Sequence, residues 1–251
     1  MRAWLRRLVG PVGAAVFGTG LTLAVTAPAT AADPAPRTPD PAHGQQLYLT
    51  ACSSCHGLHG DGTPTGPSLR RSGAAGVDFY LSTGRMPLDK PVAQAERRRP
   101  VYGPADIADL VAYYVSAIGT GPAIPAVDPA SGDLSLGAGL YADNCAACHG
   151  SGGAGGALGG SYHAPALRQA TALQVAEAVR TGPGPMPVFG PGTLDHQQLQ
   201  SIVRYVGYLQ HPDDRGGYAM GHLGPIPEGF AGWFIGLGTL LLAVRFIGTS
   251  E

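Results

Sequence analysis

Apolar positions recur at helical spacing in two well-separated stretches of the chain. Ile107, Leu110, Val111, Tyr114, Val115 and Ile118 fall on one face of a helix predicted over Ala105 to Ile118, with Gly119 as its stop. Leu199, Ile202, Val203 and Val206 repeat the pattern in a helix predicted over Gln197 to Leu209. Between them, Thr171 and Gln174 have the spacing of a capping box, which predicts a short helix running to Arg180. No segment alternates convincingly as a strand, so the expected class is all-α. Two longer apolar runs lie at the ends. Leu8 to Ala29 is uncharged, follows Arg2, Arg6 and Arg7, and leads into the small-residue sequence Ala29-Thr30-Ala31. This is the plan of a secretory signal, although the run is also long enough to span a bilayer uncleaved. Phe230 to Val244 carries no charge; Arg245 beyond it can snorkel, and Trp233 suits an interfacial belt. A transmembrane helix is therefore expected at 228–248. The positive-inside rule puts Arg2, Arg6, Arg7 and Arg245 on the cytoplasmic side and the chain between them on the other.

Composition raises a packing problem. Of 251 residues only 13% are charged, and the net charge is −1, so there is no basic stripe for a nucleic acid and no acidic excess of the disordered kind. Gly (39) and Pro (23) are abundant while aromatics reach only 7%. Such a chain is short of core material: either it is loose, or something other than side chains fills its interior.

The four cysteines supply that filling. They form two C-x-x-C pairs, each followed at once by histidine: Cys52, Cys55, His56 and Cys145, Cys148, His149. C-x-x-C-H is the signature of covalent haem c attachment. On a helical turn, residues three apart share a face, so both thiols can add to the vinyl groups of one haem while the histidine turns to the iron. A pair of disulfides would not require histidine twice at the same offset. A zinc site would leave both histidines idle, and a thioredoxin-like pair would want a βαβ context.

Both motifs belong to a longer repeat. Gly44 to Tyr48 and Gly137 to Tyr141 lead into them in the common frame G-x-x-L-Y-x-x-x-C-x-x-C-H-G. Downstream, Pro67-Ser68-Leu69 corresponds to Pro165-Ala166-Leu167, Thr83-Gly84 to Thr181-Gly182, and Met86-Pro87 to Met186-Pro187. The second copy has an insertion in the Gly-rich Ser151–Gly160 loop. The first has one around Leu88–Pro100, whose Arg97-Arg98-Arg99 run reads as a solvated loop. The expected organisation is a signal or anchor at 1–32, haem units at 41–119 and 136–211, a linker at 120–135, a hinge at 212–227 and the span at 228–248.

Each haem iron needs a sixth ligand. The chain has four methionines, and Met86 and Met186 occupy matching Thr-Gly…Met-Pro frames, so they are the expected axial partners of His56 and His149. A Met/His pair fills both axial positions, raises the reduction potential and points to electron transfer rather than chemistry at the iron. The remaining histidines do not recur in register between the copies and read as surface or loop residues.

With two C-x-x-C-H units, two Met-Pro loops and the stretch Gly224 to Phe230 leading into an apolar end, the chain resembles the dihaem cytochrome c subunit of the actinobacterial quinol–cytochrome c reductase, the cytochrome bcc complex. The resemblance implies two tandem class I cytochrome c domains before a C-terminal transmembrane helix, placed outside the cytoplasm where haem attachment occurs. It also implies that the Pro67 and Pro165 carbonyls accept the Nδ1–H of His56 and His149. Its implied partners are the cytochrome b and Rieske iron–sulfur subunits, a terminal cytochrome c oxidase and membrane lipid, with no nucleic acid. Menaquinol would be oxidised in cytochrome b, and the two haems would relay the electron from the Rieske centre to the oxidase. A dihaem subunit of another membrane dehydrogenase or oxidase is the alternative, and a dihaem peroxidase a more distant one.

Overall fold

A computed structural model describes residues 37–213 and 225–248. The expected N-terminal signal or anchor lies outside the described residues, as does most of the expected hinge. The first half of the chain forms α1 (Pro41–Ala51), α2 (Ser53–His56), α3 (Gly73–Ser82) and α4 (Pro104–Tyr113), the last continuing as a π-helical turn, Tyr114–Ile118. A 3₁₀ turn at Pro129–Ser131 precedes α5 (Leu134–Asn144) and α6 (Ala146–His149). The strands β1 (Gly156–Gly159) and β2 (Tyr162–Ala164), then α7 (Ala172–Thr181), α8 (His196–Gln210) and α9 (Pro225–Gly248), complete the order.

Short polar side chains start four of these helices, α1, α5, α7 and α8, by taking up N–H groups that have no partner within the helix. Asp40 accepts from the Ala42 N–H (2.9 Å) ahead of α1, and Asp133 from the Leu136 N–H (2.6 Å) ahead of α5. Thr171 with Gln174 forms the expected capping box on α7, and Asp195 with Gln198 forms a second on α8.

In each half the first helix crosses the last, α1 on α4 and α5 on α8. The repeated glycine of the motif explains how closely they approach. A Cβ on Gly44 would collide with the Asp109 carbonyl, and one on Gly137 with the Ser201 carbonyl. The same crossings carry a matching tether: the Asp40 N–H donates to Asp109 Oδ1 (2.7 Å), and the Asp133 N–H to Ser201 Oγ (3.0 Å). Around them, Tyr48, Leu81, Ile107, Leu110 and Ile118 form one core cluster, and Tyr141, Val175, Val179, Leu199, Ile202 and Val206 the other. Each buried aliphatic contributes about 1.5–3 kcal/mol. Tyr48 packs on Tyr113 (5.5 Å between centroids) and Tyr141 on Tyr205 (5.4 Å), the same pair in both halves.

Two findings depart from the sequence-based expectation. The Gly-rich insertion of the second copy folds partly as a two-stranded antiparallel hairpin, which alternation could not reveal because β1, Gly-Ala-Leu-Gly, is half glycine and exposed throughout. Its turn uses positive φ at Gly159 and Gly160. The Leu88–Pro100 insertion exposes Arg97, Arg98 and Arg99, as expected of a solvated run, but it is not detached from the rest of the fold. It lies across the other half: Gln94 Nε2 donates to the His163 carbonyl (2.7 Å), Gln94 Oε1 accepts from the His163 N–H (2.9 Å), and Arg97 Nη1 donates to Gln174 Oε1 (3.0 Å). Beside this strap, α3 packs on α7, and Gln174 Nε2 reaches Ser82 Oγ (3.3 Å).

The helix α9 has 24 residues, about 36 Å at 1.5 Å per residue, enough for a hydrocarbon core of about 30 Å. Its large apolar side chains are exposed, Trp233 at 72% and Phe246 at 79%, and by length and composition it is a candidate membrane span.

Candidate functional site

Each C-x-x-C-H sequence occupies a single helical turn set directly on the end of the preceding helix. Cys52 closes α1 through its N–H to the Tyr48 carbonyl (2.8 Å) and opens α2 by accepting from the His56 N–H (2.9 Å). Cys145 does the same with Tyr141 (2.8 Å) and His149 (2.9 Å). The turn puts the two cysteines of each pair on one face. Gly57 (φ 79°) and Gly150 (φ 75°) then reverse the chain in a region a side chain would resist. The tyrosine of the motif holds this reversal, Tyr48 Oη donating to the Gly57 carbonyl and Tyr141 Oη to the Gly150 carbonyl, both at 2.7 Å. Burial, with the adjacent Cys52, pushes the Tyr48 phenol up to about 12.

The histidines are oriented by a carbonyl. His56 Nδ1 lies 2.7 Å from the Pro67 oxygen, and His149 Nδ1 3.0 Å from the Pro165 oxygen. A carbonyl only accepts, so Nδ1 carries the hydrogen and Nε2 keeps its lone pair, the form an imidazole needs to bind a metal. Burial lowers the His149 pKa and the Pro165 bond opposes it, so desolvation favours the neutral ring.

None of the four cysteines is in a disulfide. Burial first, and the neighbouring Cys55 or Cys148 second, pushes Cys52 and Cys145 up to about 11. Among the described residues, the groups of three or more His, Cys, Asp or Glu close enough to share a metal comprise His43, Asp106 and Asp109, not either cysteine motif. A zinc cage built on the cysteines therefore has no support.

One cavity of about 450 Å³ receives all of these groups. Cys52, Cys55, His56 and Met86 line it from the first half, and Cys145, Cys148, His149 and Met186 from the second. The rest of the lining is largely apolar, including Leu81, Val175, Val179, Ile202 and Val206. A concave apolar space with thiols in pairs, an oriented imidazole and a thioether on each side fits two c-type haems, and it answers the shortage of core side chains.

The methionine segments are held by groups that sequence reasoning missed. Arg180, 9% exposed, donates from Nη1 to the carbonyls of Phe189 (2.8 Å) and Leu194 (2.6 Å), bracing the loop that carries Met186. In the first half the strap does similar work, the Arg98 N–H donating to the Thr83 carbonyl (3.1 Å) just before Met86. Only the position of Arg180 at the end of a predicted helix hinted at this. Arg180→Leu strips charged donors from buried carbonyls and is expected to cost about 2–4 kcal/mol in chemical denaturation of the second half. A loss below about 0.5 kcal/mol would refute the bracing role.

Comparison with known proteins points to cytochromes c. Residues 41–117 match the cytochrome c family model, and residues 132–206 the model for subunit III of cbb3-type cytochrome c oxidase. The cytochrome bc1 complex cytochrome c subunit of Mycobacterium tuberculosis is 40% identical over 217 residues, covering 83% of this chain and 77% of that protein. Those of Mycobacterium leprae (39%, 82% of this chain and 74% of that protein) and Corynebacterium efficiens (35%, 84% and 77%) are similar. With two cytochrome c domains and an apolar C-terminal helix, the chain belongs to the family of cytochrome bc1 complex cytochrome c subunits, electron-transfer components of a respiratory complex.

Proposed function

We propose that this subunit carries two covalent c haems and passes single electrons from the Rieske iron–sulfur centre of its complex to a terminal cytochrome oxidase. The cavity shared by both cysteine motifs is the observation that carries this reading. Haem c, when bound, supplies one-electron exchange at an iron closed to substrates. Cys52 and Cys55 hold the first group and Cys145 and Cys148 the second. His56 and His149, fixed through the Pro67 and Pro165 carbonyls, would hold the iron through Nε2, and Met86 and Met186 would hold it through their thioether sulfurs. The apolar lining excludes water and favours the less charged, reduced state. The helix α9 anchors the domains at the outer face of the membrane beside cytochrome b, so the encounter with redox partners becomes intramolecular, at a high effective concentration.

The test is purification of the native membrane complex through this chain, followed by subunit identification and a pyridine haemochrome assay. Two c-type haems per chain, with cytochrome b, Rieske and oxidase subunits present, is the expected result; a chain of unmodified mass refutes it. Met86→Leu and Met186→Leu, which keep side-chain volume, are each expected to lower the potential of one haem and remove its iron–sulfur charge-transfer band. Survival of the band would refute that ligand.

A further inference from the structure

The cavity has an uneven charge that the ligand set does not use. Its lining includes three cationic side chains, Arg85, Lys90 and Arg97, and neither an aspartate nor a glutamate. All three come from the first domain. Lys90 is the single lysine of the chain. Arg85 Nη1 is buried and meets no hydrogen-bond partner, while its guanidinium lies over the Phe79 ring, 5.0 Å from the centroid. Arg97 stands at the same cavity, tied to the second domain through Gln174. Among the described residues, no carboxylate is paired with either arginine in the salt bridges present. A buried N–H left unmet on the half-buried Arg85 guanidinium is costly, and the exposed Arg97 brings a like charge to the same cavity, unless an anion belongs between them.

We infer that Arg85, supported by Arg97, is the binding site for a haem propionate carboxylate at the junction of the two domains. This rests on the two-haem reading above. Haem brings the carboxylates that the lining lacks, and the planar guanidinium is suited to accept one in a bidentate pair. A cation held there disfavours the added positive charge of the ferric state, so Arg85 raises the potential of the haem it serves.

The experiment is potentiometric titration of both haems in the purified full-length complex carrying Arg85→Gln, Arg85→Lys or Arg97→Gln, with haem content measured on each. Arg85→Gln is expected to shift the redox equilibrium of one haem about tenfold toward the oxidised form, about 59 mV for one electron. The other haem should move much less, and both should remain attached. Arg85→Lys, which keeps the charge, should restore most of the shift. Arg97→Gln should lower the same potential by less. Two attached haems with unchanged potentials in Arg85→Gln would overturn the assignment and leave the two-haem reading standing. So would a lysine variant as low as the glutamine one. If Arg85→Gln loses haem, Arg97→Gln decides, a lowered potential supporting the site and an unchanged one overturning it. A wild-type chain without haem would instead overturn the underlying reading.

Discussion

A chain carrying Cys145→Ala and Cys148→Ala is expected to hold one haem c instead of two and to lose the cooperative folding of its second domain. The residues that would face the missing group are the same ones that make the core: Val175, Val179, Ile202 and Val206 both line the cavity and belong to the buried cluster around Tyr141. If the second domain's share is about half the cavity, on the order of 200 Å³, its emptying costs ~5 kcal/mol at ~24 cal/mol per Å³. That is comparable to the whole stability of a small domain, about 5–15 kcal/mol. Loss of the group should therefore appear as melting, and not merely as a colourless variant. Haem content and thermal unfolding by circular dichroism measure the two parts separately. Two haems on the double variant would refute the attachment site. One haem with unchanged melting would refute the claim that the cofactor is the core.

Glu177→Gln is expected to stabilise the protein above neutral pH. Glu177 sits on α7, fully buried, and neither carboxyl oxygen meets a donor at full hydrogen-bond geometry. Its neighbour across the packed helices is Asp78 on α3. Burial, then the Asp78 charge, pushes Glu177 up to about 9, and burial raises Asp78 as well. The folded protein therefore keeps a proton that the unfolded chain releases near pH 4.5. Between that value and about 9 the native state binds more protons than the unfolded one, so stability falls with rising pH, by up to about 1.4 kcal/mol per unit. This contribution is fully present below the unfolded value and lost as pH passes through the folded one. Glutamine needs no proton, and its amide can donate to Asp78. Urea midpoints from pH 5 to 9 should slope downward in the wild type and much less in the variant, with a gain on the order of 1–3 kcal/mol at pH 8. Parallel slopes would sink the claim.

Much of this architecture is legible in the amino-acid sequence. The helices α4, α7 and α8 followed from apolar periodicity and one capping box, because each buries a face of its own. The repeated frame was visible, but not why it has its letters. Glycine is there because two backbones touch at Gly44 and Gly137, and tyrosine because its hydroxyl braces the turn after the histidine. The features that escaped are pairings between the copies. Gln94 with His163, Arg97 with Gln174, and Asp78 with Glu177 join positions far apart in the chain, and each residue alone looks like an ordinary surface polar group. The hairpin escaped for a local reason: glycine-rich strands carry no alternation to detect.

The strap from Leu88 to Pro100 has a consequence for speed. The two halves are clasped by side chains rather than merely strung on the segment between them, so on the two-haem reading proposed above the gap an electron would cross is set by packing. Lengthening the connector would leave that gap unchanged, whereas weakening the clasp at Gln94 or Arg97 would let it breathe and make hopping between the two centres fitful.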